Sequence, residues 1–135
     1  MCAVVAVPSE SPIELLSSLE DNLRVFRERL FAPDNADVLL RRFRSGAFES
    51  ALLAIDGMTD SREIDENILK PCMDLPGDAG QDIAEGERIV FLMAHAVSIL
   101  PIRFKTNMDD IIADALSGQC VLLCEGCAVA CVMDT

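Results

Sequence analysis

The chain has 135 residues, of which 51% are apolar and 25% are charged, a balance typical of one globular domain and not of a disordered segment. It carries 23 acidic and 11 basic residues, for a formal net charge of −12, so it should repel phosphate backbones and anionic lipid surfaces. The longest apolar stretch, 89–102, falls short of the about 20 residues that a membrane-spanning helix needs. We therefore expect no nucleic-acid partner and no transmembrane segment in this sequence.

The N-terminal third predicts a short tail and one amphipathic helix. Residues 1–10 lack the basic start of a signal peptide, and we expect them to be disordered ahead of a single domain over 11–135. Ser11-Pro12-Ile13-Glu14 has the form of a capping box, which predicts a helix beginning there. Apolar residues then recur every three or four positions over 16–30, the pattern of one buried stripe packed on a sheet.

The next elements are a hairpin and a short helix. Val38–Phe43 and Ala51–Ile55 read as strands joined by a turn at Ser45-Gly46, so we expect an antiparallel pair. Asp60 stands at the N-cap position of the helix that follows. Pro71 is expected to prevent that helix from continuing.

A loop and a second long helix follow. Residues 76–80 form the clearest loop of the sequence, and a helix is predicted from about Asp82 to Val97, almost entirely buried in its second half. Pro101 should end that helix and be followed by a short strand, Ile102–Lys105.

The C-terminal part predicts one more helix and a second hairpin. Asn107 or Asp109 caps the helix, and Gly118 ends it. Cys120–Cys124 and Cys127–Val132 read as strands joined by a two-residue turn at Glu125-Gly126. The fold class is therefore mixed α/β, of the α+β kind. Two antiparallel hairpins and a short strand form a small sheet packed against about four helices, in the order α-β-β-α-α-β-α-β-β.

The cysteines invite a proposal of metal or redox chemistry. Cys120, Cys124, Cys127 and Cys131 include a Cys-x-x-Cys core. With a two-residue turn, the pair Cys124 and Cys127 would lie about 13 Å along the strands from the outer pair, too far for one zinc ion. Redox thiols favour a helix N-terminus, whereas this pair is predicted at a strand turn. We expect free cysteines packed as small hydrophobes.

Other reactive patterns are weaker. His95 lies in an apolar helical run with no partner four residues on, and no serine or cysteine is matched to it. The acidic residues of 56–66 could be drawn as a cation site, but they fall at a turn and on an exposed helix face, where capping and solvation explain them. There is no phosphate-binding loop and no zinc-protease motif. We expect no catalytic residue, no metal and no cofactor.

Three stretches carry a further signal: 18–23 leading into 35–43, the block 55–71, and Leu116 to Gly126. Together they resemble the soluble N-terminal region of the A subunits of GerA-type spore germination receptors, in the family's order and spacing over roughly residues 16 to 133. The positions that match the family's motifs also have turn, cap or stop roles, so we assign them structural or interface roles. They are Asp56, Gly57, Asp60, Lys70, Pro71, Ser117, Gly118 and Gly126.

The resemblance implies a non-enzymatic role. Receptor A subunits are membrane proteins of the spore inner membrane that act with B and C subunits to convert nutrient binding into ion release. This domain would then be a cytosol-facing scaffold or coupling module, with self-association through the full-length subunit. The family's soluble region is about twice as long and continues into membrane helices, so the resemblance implies a first subdomain truncated at its C-terminus. The family usually has Thr, Ser or aliphatic residues where this chain has its last cysteines.

Two other functions remain open on the residues alone. A free-standing thiol or metal-binding protein would use Cys124 and Cys127. A small-ligand sensor would use a pocket of the mixed domain that a sequence does not display.

Overall fold

The computed structural model describes residues 14–30, 37–97 and 101–134, with side chains from residue 103 onward in the last range. Within them, five strands form one antiparallel sheet: β1 (Val38–Ser45), β2 (Phe48–Ile55), β3 (Pro101–Lys105), β4 (Cys120–Cys124) and β5 (Ala130–Met133). Across the sheet their order is β1-β2-β4-β5-β3. The central strands β2 and β4 are therefore far apart in the sequence and adjacent in space.

The described helices are α1 (Leu19–Leu30), α2 (Ser61–Ile64), α3 (Lys70–Met73), α4 (Arg88–His95) and α5 (Met108–Leu116). The π-helical turn Asp65–Leu69 joins α2 to α3 without a break, and the 3₁₀ turn Glu85–Glu87 leads into α4. With α2 to α3 taken as one segment, the element order and the mixed class are as the sequence predicts. None of these helices combines the length and apolarity that a membrane crossing requires.

The sheet is covered on both faces, because its central strands alternate two sets of buried side chains. One set packs against α1 and α5, and the other packs against α2 to α4. Every residue of β4 and β5 is buried. The first set includes Ala51, Leu53, Val121, Leu123 and Val132, and the second includes Leu52, Ala54, Cys120, Leu122 and Cys131.

The first helix begins later than the capping box predicts. Residues 14–18 are not helical, and the backbone N–H of Leu15 donates to the carbonyl of Thr106. The buried Asn22 side chain holds this segment in place, since its Oδ1 accepts from the N–H of Leu16 at 2.8 Å and its Nδ2 donates to the carbonyl of Leu16 at 2.7 Å. Ser11 and the predicted tail 1–10 lie outside the described residues.

Pro71 does not stop its helix, contrary to the sequence prediction. It lies in the first turn of α3, directly after the π-helical turn, in which the N–H of Lys70 donates to the carbonyl of Asp65. A π turn is wider than an α turn, so it relieves the clash between a proline ring and the carbonyl four residues earlier. The buried Ile68, Leu69 and Cys72 anchor this segment on the sheet.

The fourth helix is also shorter and more exposed than predicted. It is α-helical only over Arg88–His95, and the part from Asp82 to Ala84 is turn and irregular backbone. Ile89 and Leu92 are buried, whereas Val90 is 54% exposed and His95 lies on the surface. Leu100, just before the predicted strand, lies outside the described residues.

The two hairpins differ in how well the sequence predicts them. The pair β1 and β2 is confirmed, with Ser45 opposite Phe48 and Gly46-Ala47 between them. The second prediction is wrong in register: Cys120 pairs with Met133 and Leu122 with Cys131, so residues 125–129 form a longer connection. A two-residue turn would have required strand pairing from Cys127 onward. Instead, the side chain of Cys127 contacts the residues just before α4.

Replacing Asn22 with Ala should destabilise the fold by about 2 kcal/mol, because it removes a buried side chain that satisfies the partly buried N–H and carbonyl of Leu16. Urea denaturation followed by circular dichroism measures this loss. Asn67→Ala is the matched control, since Asn67 makes no side-chain hydrogen bond with any described residue, and we expect a change within about 0.5 kcal/mol. Equal effects of the two substitutions would contradict this role of Asn22.

Candidate functional site

Five of the eight motif positions meet at one end of the sheet. The pairing of Leu53 with Val121 places the end of β2 beside the start of β4. At Gly118 an added Cβ would lie 3.3 Å from the carbonyl oxygen of Met58, so the two turns are in contact. We call residues 56–60 and 116–118 the turn surface.

The first half of the turn surface is held by its backbone. The N–H of Met58 donates to the carbonyl of Ile55 at 3.1 Å, and Thr59 Oγ1 donates to the same carbonyl at 3.2 Å. Gly57 has a φ of 87°, a conformation that side chains with a Cβ rarely adopt. The N–H of Asp56 donates to the carbonyl of Asp37 at 2.6 Å, which ties this turn to β1.

Asp60 is used as a helix cap. Its Oδ1 accepts from the backbone N–H groups of Arg62 at 3.1 Å and Glu63 at 3.2 Å, at the start of α2. Arg62 in turn pairs with Glu66 at 3.2 Å on the exposed helix face. In the described ranges, no three His, Cys, Asp or Glu side chains are arranged to hold a metal ion.

The second half of the turn surface ends α5. The N–H of Ser117 donates to the carbonyl of Ala113 at 3.0 Å, and its hydroxyl donates to the carbonyl of Asp114 at 2.8 Å. Gly118 follows with a φ of 103° and donates to the carbonyl of Ala115 at 3.1 Å, which is the left-handed helix end that glycine favours. The Asn107 side chain caps the other end of α5, as predicted.

Two large apolar side chains lie uncovered on the turn surface. Met58 is 50% exposed, and Leu116, the last residue of α5, is 53% exposed. The sequence motifs predict a role for neither residue. The pattern of apolar residues gave no reason to separate them from the core, because their exposure follows from where the two turns meet.

The other three motif positions lie elsewhere. Lys70 is exposed, and both Lys70 and Pro71 belong to α3, which packs against β1. Gly126 lies at the opposite end of β4, where an added Cβ would stand 2.7 Å from Cβ of Glu85. The eight positions therefore do not form one site. They occupy turns, caps and helix contacts at three places.

The thiols of the last two strands are arranged differently from the prediction. Cys127 does not face Cys124 across a strand pair. Its N–H donates to the carbonyl of Cys124 at 3.2 Å, and its Sγ donates to the carbonyl of Glu85 at 3.0 Å. Cys127 thus lies at the N-terminal end of α4, where the sequence pattern predicts no thiol. This contact joins residues 42 positions apart, so no local sequence signal could reveal it.

Cys124 belongs to a buried polar chain between β1 and β4. Ser50 Oγ donates to Cys124 Sγ at 3.5 Å, and the hydroxyls of Ser45 and Ser50 are 2.6 Å apart. Both serines are fully buried. All five cysteines in the described part of the chain are free thiols.

The thiols differ in acidity. The hydrogen bond with Cys124 lowers the pKa of Cys127 to about 7, with further help from the N–H groups of Ile89 and Arg88 and from the charge of Arg88, although burial opposes it. Burial raises the pKa of Cys124, and the hydrogen bond with Cys127 adds to that rise. Burial alone raises the pKa of Cys72 to about 12 and is the main cause of the same rise at Cys120.

An apolar groove of about 290 Å³ lies between the edge strand β1 and the α2 segment. Leu39, Leu52, Ile64 and Leu69 are among the apolar residues that line it, and the exposed residues Arg41 and Asp65 line it as well. Its size is near the lower end of the range of small-molecule pockets.

Comparison with known proteins gives a consistent result. The family model described as Bacillus/Clostridium GerA spore germination protein matches residues 25–135. A similar solved structure is the N-terminal domain of the A subunit of the Bacillus megaterium spore germinant receptor GerK3, with a TM-score of 0.74 at 20% identity. The match covers 93% of this chain and 49% of the solved one, so the chain spans about half the length of that domain. A search of curated proteins finds no significant match.

Gly118→Ala should cost more stability than Gly57→Ala. Both glycines have positive φ, which costs a residue with a Cβ about 1 kcal/mol or more. Only at Gly118 does the added Cβ meet an obstacle, the Met58 carbonyl; at Gly57 nothing lies within 4 Å. Thermal unfolding of the two variants measures the difference. A Gly57→Ala variant as unstable as Gly118→Ala would show that the two turns are not in contact.

Proposed function

Because the chain belongs to the GerA spore germination family, we propose that this domain is a non-catalytic scaffold or coupling module of a germinant receptor A subunit. Its task is to take part in the conversion of nutrient sensing into ion release during germination. The family match over residues 25–135 is the observation that carries the proposal. The solved receptor domain contributes the similarity of fold.

The use of the motif residues supports a role in contacts and not in chemistry. The Asp60 carboxylate caps a helix, Gly57 supplies the positive φ of its own turn, and Gly118 allows the two turns to meet. Beside these turns, Met58 and Leu116 offer apolar surface to solvent. Apolar side chains framed by polar turns are a common feature of protein interaction sites. We infer that the turn surface contacts another chain.

The proposed partners are the B-type and C-type receptor subunits, together with further copies of the full-length A subunit. The proposed location is the cytosolic face of the spore inner membrane, with membrane attachment through a part of the protein outside this sequence. The net charge of −12 favours protein partners over anionic lipid or nucleic acid.

A second function, sensing of a small ligand, is favoured by the groove beside β1. Its apolar lining, together with the exposed charges of Arg41 and Asp65, suits a small zwitterion such as an apolar amino acid. Titration calorimetry with amino acids and sugars tests this function. Saturable binding that Leu39→Asp abolishes would support it, and no heat of binding from any of them would exclude a sensor for these ligands.

Replacing Met58 and Leu116 together with Gln should impair the receptor without unfolding the domain. The two changes remove exposed apolar contacts, each worth about 1 kcal/mol or more at an interface. We therefore expect nutrient-triggered ion release from spores to slow by at least about 10-fold. Co-purification of the B-type and C-type subunits with the full-length variant should fall in parallel.

Met73→Gln provides the matched control, because Met73 is 45% exposed on α3, away from the turn surface. Its spores should release ions at the normal rate. Normal germination and normal subunit recovery in the double variant, with the protein present at its usual level, would contradict the proposed interface.

A further inference from the structure

The turn Cys124-Glu125-Gly126-Cys127 brings two thiols together. The N–H of Cys127 donates to the carbonyl of Cys124 at 3.2 Å, and Gly126 has a φ of 90°, as in a type II turn with glycine third. Such a turn holds its first and last Cα atoms less than about 7 Å apart. That separation suits a disulfide, whose Cα atoms lie about 4.4–6.8 Å apart.

The position of Cys127 at the start of α4 favours the reactive thiolate form of this residue. Cys127 Sγ lies beside the carbonyl of Glu85 and the first backbone N–H groups of the helix, at Arg88 and Ile89. Helix N-termini stabilise thiolates, since their free N–H groups point at the sulfur. Arg88 Nη1 donates to the carbonyl of Glu125 at 2.8 Å, which holds its positive charge against the same turn.

Groups of both charges surround the pair. The titratable groups that face it are Arg88, Glu85 and Glu125 from the adjoining turns, and the thiol of Cys72 from α3. Glu125 directs Oε1 away, toward the N–H of Leu19 at 3.1 Å. Cys127 is buried, but the next residue, Ala128, is exposed, so the turn lies at the surface.

We propose that Cys124 and Cys127 are a redox-active dithiol that a small peroxide oxidises to an intramolecular disulfide. The Cys127 thiolate is the nucleophile, and Cys124 is the resolving thiol. The inference does not depend on the receptor function, since it rests only on the turn and on the start of α4.

The chemistry needs one oxidant, hydrogen peroxide. The Cys127 thiolate attacks one oxygen, the O–O bond breaks, and hydroxide leaves and takes up a proton as water, so that Cys127 becomes a sulfenic acid. Cys124 then attacks that sulfur, the S–O bond breaks, and a second water leaves with the Cys124 proton. In sum, two thiols lose two hydrogens and one peroxide becomes two waters.

The test oxidises the full chain with hydrogen peroxide, blocks the remaining thiols and digests with a protease that cleaves after glutamate. Cleavage after Glu125 separates Cys124 from Cys127 in the reduced chain. In the oxidised chain the two peptides should stay joined until a reductant is added. Because one peptide carries Cys120 with Cys124 and the other carries Cys127 with Cys131, tandem mass spectrometry that fragments each peptide between its two cysteines assigns the bond. A bond between Cys120 and Cys131, or none at all, would overturn the proposal.

Variants distinguish the two roles. In Cys124→Ser the sulfenic acid of Cys127 should persist and form a covalent adduct with a dimedone probe. Cys127→Ser should give neither the dimedone adduct nor the disulfide. Cys72→Ser is the control, because Cys72 is equally buried but outside the turn, and it should keep the disulfide. Loss of the disulfide in Cys72→Ser with the fold retained would contradict the assignment.

The rate of alkylation by iodoacetamide tests the nucleophile without an oxidant. At pH 7 Cys127 should react at least about 100-fold faster than Cys72 in the same molecule, because far more of it is thiolate. Arg88→Met should shift the pH profile of Cys127 alkylation to higher pH. Arg88→Lys should return that profile most of the way to the profile of the unsubstituted chain. Equal rates at the two cysteines would remove the basis for Cys127 as nucleophile.

Discussion

The structure depends on two central strands that are apolar on both faces. Strands β2 and β4 lie side by side, and a sheet with two apolar faces is stable only when both are covered. Helices α1 and α5 cover one face, and the segment from α2 to α4 covers the other. Each fully buried leucine of these strands contributes about 1.5–3 kcal/mol, so loss of either helical layer would expose the core of the whole domain.

The same arrangement determines where the functional surfaces lie. Because the helices occupy both faces, the remaining accessible parts of β2 and β4 are their two ends. One end carries the turn surface, with Met58 and Leu116 exposed. The other carries the Cys124 to Cys127 turn against the start of α4. The proposed protein contact and the proposed redox site thus lie at opposite ends of the sheet.

Features set by neighbouring residues could be predicted from the sequence. The β1 to β2 hairpin, the Asn107 cap and the Gly118 helix end depend on residues a few positions apart, and all three are present. Features set by distant contacts could not. The late start of α1 depends on Asn22 and on a backbone bond to Thr106, and a π turn accommodates Pro71 within a helix.

The candidate sites show the same division. The resemblance to a family identified the motif positions. It did not indicate that five of them lie together where the turn at Gly118 contacts Met58. The cysteine spacing identified a thiol pair, but the predicted two-residue turn placed it away from a helix. The real connection lets Cys127 reach residues 85–89, a contact across about 40 positions that only the folded chain brings together.

Hydrogen exchange of the full-length subunit, alone and within the assembled receptor, is the most direct test of the proposed contact between the turn surface and another receptor chain. We expect slower exchange in the assembly at residues 56–60 and 116–118, with α3 unchanged. Identical exchange at the turn surface in both states would contradict the claim.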